Sequence, residues 1–443
     1  MRSALRLTPR RAIAMLAVVP LVAAGCSAGD LGSSSGSGGS TKIKLLVDNA
    51  ATTTATTKAL IAAFEKQNPK IKISMETRPG GTDGDNLIKT RLQTGAMDDV
   101  FLYNSGSLFQ QIDPAKTLMP LTGESFMSSV DKSFDPVVSV DNNIYGVPFG
   151  SAFAGGVLYN IPVYKKLHLQ VPKTWNQFIA NSEKIKNAGG GVAPIEQTYQ
   201  DTWTSQLLVL GDYANVAAAE PQFADLYTHN KAKYATDPHA YAGFQHLQQI
   251  HDMGLENSDF ASASNNDGLK AVANGSAAQY PMLTAVVAGL QQLAPKDVNN
   301  VGFFALPGSN ASSNPTTVWL PAAYYVPKTT TGSKLDAVKK FLAFMTTQTA
   351  CDVQSKVNTP TGPYLISGCN LPSNVPTLTT DVQSYFTNHA ESPALEFLSP
   401  VKGPNLEQIC VSVGSGITSA KAGAEQYDQD VKKQAQQLGL PGW

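Results

Sequence analysis

The sequence predicts an α/β protein of two lobes, each a mostly parallel sheet flanked by helices. Three observations carry that prediction. Strand-like and helix-like segments alternate from residue 42 onward, as they do when helices cross between consecutive parallel strands. Val100-Phe101-Leu102-Tyr103 is an unbroken apolar run, which suits a strand covered on both faces. About 400 of the 443 residues follow a leader and a polar tract, whereas a single core stops growing at roughly 250–300 residues.

The leader occupies residues 1–25. Arg2, Arg6, Arg10 and Arg11 form a basic start, and Ala12 to Ala24 is an apolar run interrupted by Pro20. That run is too short to span a bilayer and has the layout of a secretory signal. It ends Ala23-Ala24-Gly25-Cys26, which resembles a bacterial lipobox with Ala23 where leucine is usual. Cys26 is therefore expected to carry a diacylglycerol and to become the mature N-terminus, since two acyl chains suffice for stable anchoring. A stray cysteine in an ordinary signal peptide is the competing reading. Thr8-Pro9-Arg10-Arg11 leaves export by the twin-arginine route open, although the residues after it fit poorly. Residues 26–41 read as the lipidated cysteine and a flexible Gly/Ser tether. Gly32-Ser33-Ser34-Ser35-Gly36 matches the hydrolase G-x-S-x-G pattern by chance, because a tether supplies neither its strand nor its helix.

Along the ordered part, Ile43, Leu45 and Val47 alternate as in a strand. A helix follows with Leu60, Ile61 and Phe64 on one face, stopped by Asn68-Pro69. Ile71, Ile73 and Met75 make a second strand, residues 80–85 a loop, and Leu87, Ile88 and Leu92 a helix closed by Gly95. The third strand is 100–103. In such a parallel sheet a ligand site lies at the carboxyl ends of the strands. Those ends are Asp48-Asn49, Arg78 to Asp85, and Asn104-Ser105. Further on, Leu335, Val338, Phe341, Leu342 and Met345 share one helical face.

Composition narrows the function classes. Net charge is −1, charged residues make up 15 %, and no basic block occurs, so nucleic acid is not an expected partner. There is no P-loop, dinucleotide fingerprint or H-E-x-x-H; His246 and His251 stand five apart. Asp83-Gly84-Asp85-Asn86 opens like a calcium loop but lacks the later ligands, so no metal and no cofactor is expected. No catalytic pair is marked and the chain does not read as an enzyme. Behind an export leader Cys351, Cys369 and Cys410 can form disulfides. Cys351 and Cys369 bracket a short Pro/Gly-containing loop and are expected to pair, with Cys410 free on a helix.

Several stretches occur in one order at suitable spacings: residues 62–73 (AAFEKQNPKIKI), 98–102 (DDVFL), 144–167 (IYGVPFGSAFAGGVLYNIPVYKKL) and 171–186 (VPKTWNQFIANSEKIK). Together they resemble the extracellular solute-binding proteins of carbohydrate ABC importers, the family 1, maltose-binding-protein-like lipoproteins. Weaker similarity runs through residues 275–280 to 363–365. The resemblance implies a periplasmic-binding-protein-like fold of type II, with two lobes joined by a hinge. It implies a sugar ligand, an oligosaccharide, delivered to ABC permease subunits; a membrane-anchored glycan-degrading enzyme and a binding protein for a non-sugar solute are the competing readings. It also implies a monomer outside the cytoplasm that touches the membrane only through its lipid. The lobes would be 42–151 with 320–364, and 152–319 with 365–443. Crossings fall at Gly150–Gly156, Trp319–Tyr325 and near Thr361–Leu365, with Gly150, Gly155 and Gly156 loosening the first. One departure is that the family often places a tryptophan where this chain has Leu283 to Val287.

A sugar cleft needs flat aromatic platforms and polar groups that fork to hydroxyls. Trp203, in a polar segment, and Trp319, at the second crossing, are the expected platforms, joined by Phe149, Tyr280 and Tyr364. Core packing is the competing role for each. Asp48, Asn49, Asp83, Asn104, Ser105 and Asp201 are the expected hydroxyl partners, with helix capping as the alternative. Trp175 begins a helix and reads as packing; Trp443, the last residue, reads as idle.

Overall fold

The computed structural model describes residues 40–443, so the leader, Cys26 and nearly all of the tether lie outside the described residues. In chain order the strands are β1 (Thr41–Asp48), β2 (Ile71–Arg78), β3 (Val100–Tyr103), β4 (Ser139–Val140), β5 (Asn143–Ile144), β6 (Val147–Phe149), β7 (Phe153–Asn160), β8 (Gln279–Leu283), β9 (Val301–Ala305), β10 (Thr316–Trp319), β11 (Ala322–Tyr325) and β12 (Glu391–Pro393). One sheet has the order β2-β1-β3-β11-β6. The other runs β12-β10-β7-β8 with β9 also on β7, and β4-β5 is a small hairpin.

In the first sheet β1 lies parallel to β2 and β3, with Leu45 opposite Met75 and Val100. Ile43, Leu45 and Val47 are fully buried. They hold this register, because a slip of one residue would turn all three outward. Helix Ala51–Gln67 packs on the sheet through Thr57, Leu60 and Phe64, whose ring meets Phe341 and Phe344 at 5.4 and 5.6 Å. Helix Gly81–Thr94 starts before the predicted loop has ended and stops at left-handed Gly95. Asp83 is therefore an exposed residue of a first helical turn, where its charge faces the partial positive helix end, and not a loop residue.

The second sheet departs from the expected parallel arrangement. β7 is antiparallel to β8, β9 and β10, and only β10 and β12 run together. The cause is chain direction. β7 carries the chain away from the first sheet, and the strands beside it come back toward it. Consequently the carboxyl ends of β1, β2, β3 and β6 face the junction from one side, and those of β8, β9 and β10 from the other.

Two crossings join the sheets, from Phe149 to Phe153 and from Trp319 to Ala322. A third segment bridges Ser151 to Tyr364, then pairs Leu365 with Asp131 and Ser367 with Ser129. Of the three expected hinge glycines only Gly150 has a positive φ, +96°. Gly155 and Gly156 sit inside β7 and make room instead. A Cβ on Gly155 would lie 2.6 Å from the Trp319 ring, and one on Gly156 2.4 Å from the Phe304 carbonyl oxygen. Behind the second sheet an aromatic core gathers Phe178, Phe223, Tyr227, Tyr234, Phe244 and Tyr427, all nearly fully buried. Trp443 is not idle, for its indole donates to the Thr228 carbonyl at 2.8 Å and packs on that core. Cys351 and Cys369 are joined, with Cα atoms 6.0 Å apart, and Cys410 is buried and free.

Candidate functional site

The junction is furnished first by the ends of the parallel strands. Asp48 closes β1 and its carboxylate accepts the Ala50 N–H at 2.9 Å, while Asn49 is exposed. Arg78 closes β2 beside it in register. Arg78 is 5 % exposed, and its guanidinium donates to the Pro79 carbonyl at 3.0 Å and lies 5.4 Å over the Tyr103 ring. Nε of Arg78 and the Tyr103 hydroxyl are both buried without a partner. Burial, then the charge of Asp85, pushes the Tyr103 hydroxyl pKa up. Past β3, Asn104 is exposed and its carbonyl accepts from the Tyr325 hydroxyl at 3.1 Å. Ser105 is buried, and its hydroxyl donates to the Pro321 carbonyl at 2.9 Å, tying β3 to the second crossing.

From the other side comes an aromatic stack. Trp319 ends β10 opposite Phe153 of β7, so the two rings share a face of the sheet and stack at 5.8 Å with planes 5° apart. Trp319 is 7 % exposed and its indole N–H donates to Oε1 of Glu396 at 2.6 Å. The other carboxylate oxygen of Glu396 stands 3.7 Å from the Lys402 ammonium. The Glu396 carbonyl accepts from the Ser107 hydroxyl at 2.8 Å, and Phe397 closes over Gly106. These contacts hold the 396–402 segment across the junction. The half-buried ring is Phe153, with Trp319 behind it.

A third group surrounds Trp203, which is half-buried in the short turn Thr202–Thr204. Its neighbours Thr202, Ser205 and Gln206 all converge on Glu407. The Thr202 hydroxyl and the Gln206 amide donate to the two carboxylate oxygens at 2.8 and 3.3 Å, and the Ser205 hydroxyl donates to the backbone carbonyl. Asp201 spends its carboxylate on the Asn265 N–H at 2.7 Å. Tyr280 is 1 % exposed; its hydroxyl meets the Thr198 hydroxyl at 2.6 Å and donates to Asn265 Oδ1 at 3.2 Å, so it packs the interior. Phe149 and Tyr364 meet at the crossings, where they line a cavity of about 110 Å³ with Gly150 and Gln354. There the Tyr364 hydroxyl is taken by Ser355 at 2.8 Å.

The predicted residues thus fall into separate clusters. Asp48, Asn49, Asn104 and Ser105 belong to the first-sheet rim, Trp319 to the crossing, Asp201 and Trp203 to the second-sheet rim, and Phe149 and Tyr364 to the hinge cavity. Asp83 stands on its own helix. Sequence reasoning passed over Phe153, Glu396, Lys402 and Glu407. Phe153 could have been found as the residue that follows the first crossing. The other three lie late in the chain, in irregular segments or at a helix start, without a periodic signal. Among the described residues no three His, Cys, Asp or Glu side chains gather as a metal would require.

Comparison with known proteins agrees with this architecture. The sequence model of the family described as bacterial extracellular solute-binding protein matches residues 50–350, well over half of the chain. The multiple sugar-binding protein of Streptococcus mutans serotype c is 28 % identical over 327 residues, which is 73 % of this chain and 74 % of that protein. Two solved structures share the fold. The apo form of RafE from Streptococcus pneumoniae has a TM-score of 0.74 at 19 % identity, covering 90 % of this chain and 99 % of that one. A family 1 extracellular solute-binding protein from Bifidobacterium longum subsp. infantis has a TM-score of 0.71 at 19 % identity, covering 89 % and 100 %. The fold is the two-lobed, periplasmic-binding-protein-like one, and the chain belongs to the family of bacterial extracellular solute-binding proteins.

Proposed function

We propose that this protein captures a sugar, an oligosaccharide, in the cleft between its lobes and hands it to the permease of an ABC importer, without chemical change. The observation that carries this reading is the junction itself. On the second-sheet side the Phe153–Trp319 stack is bonded to the Glu396 carboxylate and Glu407 gathers Thr202 and Gln206 beside Trp203, while strand ends of the first sheet bring Asn49 and Asn104 to the junction. Stacked rings take the C–H face of a pyranose, and carboxylates and amides fork to its hydroxyls. The name of the Streptococcus mutans relative supports the same ligand class. The lobes are drawn at 42–151 with 320–364 and at 152–319 with 365–443. The pairing of Leu365 and Ser367 with the 129–131 segment extends the first lobe's hold a few residues further. Lipid on Cys26 would keep a monomeric receptor beside its permease and raise its effective concentration there.

The test is incubation of pure protein with malto-, xylo- and chito-oligosaccharides, followed by calorimetry and product analysis. Saturable binding of an unaltered sugar is the expected result. Turnover would make the protein a glycan-degrading enzyme, and indifference to every sugar would move the ligand to another solute class.

A further inference from the structure

A second cavity shares no lining residue with the cleft. It lies between the starts of helices Trp175–Ala188 and Pro238–Asp252, helix Tyr213–Ala219 and the loop after β9. Its volume is about 610 Å³, within the roughly 300–1,000 Å³ typical of small-molecule pockets. The walls are fixed. The Trp175 indole donates to Gln249 at 2.8 Å, and His246 stacks on it with ring centres 3.5 Å apart. Asn215 donates to both the Asp212 carboxyl at 2.8 Å and the Leu306 carbonyl at 2.9 Å.

Two polar groups here lack an explanation in packing. His246 is 8 % exposed, lines the cavity, and its Nδ1 is buried with no hydrogen-bond partner. Asp212 is 3 % exposed at the same wall with only an amide beside it. Buried polar atoms are nearly always satisfied, so a buried carboxyl in a cavity wall with one amide on one of its oxygens calls for a partner from outside the chain. Burial pushes the Asp212 carboxyl up to about 8 and the His246 imidazole down to about 3, so both are uncharged at neutral pH. Among the described residues that line the cavity there is no lysine, arginine or glutamate. Two helices begin at the wall; Thr174 caps one at the Gln177 N–H, and Asp237 caps the other at the His239 and Ala240 N–H groups. An anion would find no lysine or arginine to pair with and would face the Asp212 carboxyl.

We propose that this cavity is a second binding site, for a small neutral polyhydroxylated molecule. Its hydroxyls would bond to the Asp212 carboxyl, and its carbon skeleton would lie along the Trp175–His246 wall. The site is independent of the cleft and of the sugar that the cleft takes.

The test follows the indole N–H resonance of Trp175 by NMR in the whole protein, assigned with Trp175→Phe. Glycerol, myo-inositol and D-glucose are the neutral probes, and inorganic phosphate is the anionic one. At least one neutral probe should move the resonance saturably, and phosphate should not. Ala218→Phe, on an exposed helical position at the rim, should weaken that response by about ten-fold or more as the ring fills the space. Ser313→Tyr, from the facing loop, should do the same should the first variant fold poorly. A resonance that ignores all three neutral probes, one that responds equally in both filled variants, or one that moves with phosphate alone would overturn the proposal.

Discussion

Phe153 and Trp319 form one stack, yet the two rings should fail differently when removed. Trp319 is almost enclosed, pressed on Gly155 and bonded to Glu396. Trp319→Ala should cost about 3–5 kcal/mol of stability. Phe153 and Trp203 keep a free surface, so Phe153→Ala and Trp203→Ala should each cost about 2 kcal/mol of binding, roughly 30-fold. Their apo melting temperatures should stay near that of the wild type. Melting curves and calorimetry on the three variants check this, and a Trp203→Ala that melts early but binds normally would return that residue to packing. Asp212 gives a pH prediction. In the fold its carboxyl stays protonated up to about 8, whereas its ordinary value is 3.8. Between these values the unfolded chain binds fewer protons, so stability falls as pH rises. His246 acts oppositely only below its ordinary value of 6.5, so Asp212 contributes through the window from 6.5 to 8, joined in its lower part by Glu196, pushed up to about 7. Asp212→Asn should flatten the decline in melting temperature across that window. An unchanged slope would contradict it. At this scale the sequence was least informative. Asp201 and Ser105, expected as ligand groups, each bond a backbone partner in the fold, the Asn265 N–H and the Pro321 carbonyl. Glu396 and Glu407 take their partners, Trp319 and Thr202, from distant parts of the chain.

Elements with a strong period were legible. The alternation in β1 and β2, the apolar run of β3 and the helix around Leu335 to Met345 all stand where the pattern puts them. What misled was chemistry with two uses. Glycines in 150–156 suggested flexibility, but two of the three serve close packing inside a regular strand. Gly155→Ala tests that difference. Its new methyl group would meet the Trp319 ring at 2.6 Å, and the displacement should cost about 1–3 kcal/mol with a shifted tryptophan emission. A hinge role alone would leave both nearly unchanged. The direction of the second sheet was also illegible. Periodicity reports which face of a strand is buried, and only the crossings decide which way the strand runs.

For the molecule as a whole, size and alternation led to two lobes because neither depends on local detail. The division between lobes is set by three crossings, and these bring strand ends from both sheets to one junction. The proposed capture requires this arrangement to close on a ligand held from both sides, with Gly150, at φ +96°, placed to absorb the change in dihedral angles. Closure is thus the property that separates a capturing receptor from a rigid scaffold. The measurement that tests it most directly is small-angle X-ray scattering, with and without the oligosaccharide that titrates in calorimetry. The account predicts a smaller radius of gyration at saturation, reversed when the sugar is dialysed away. An unchanged radius with the sugar demonstrably bound would contradict it.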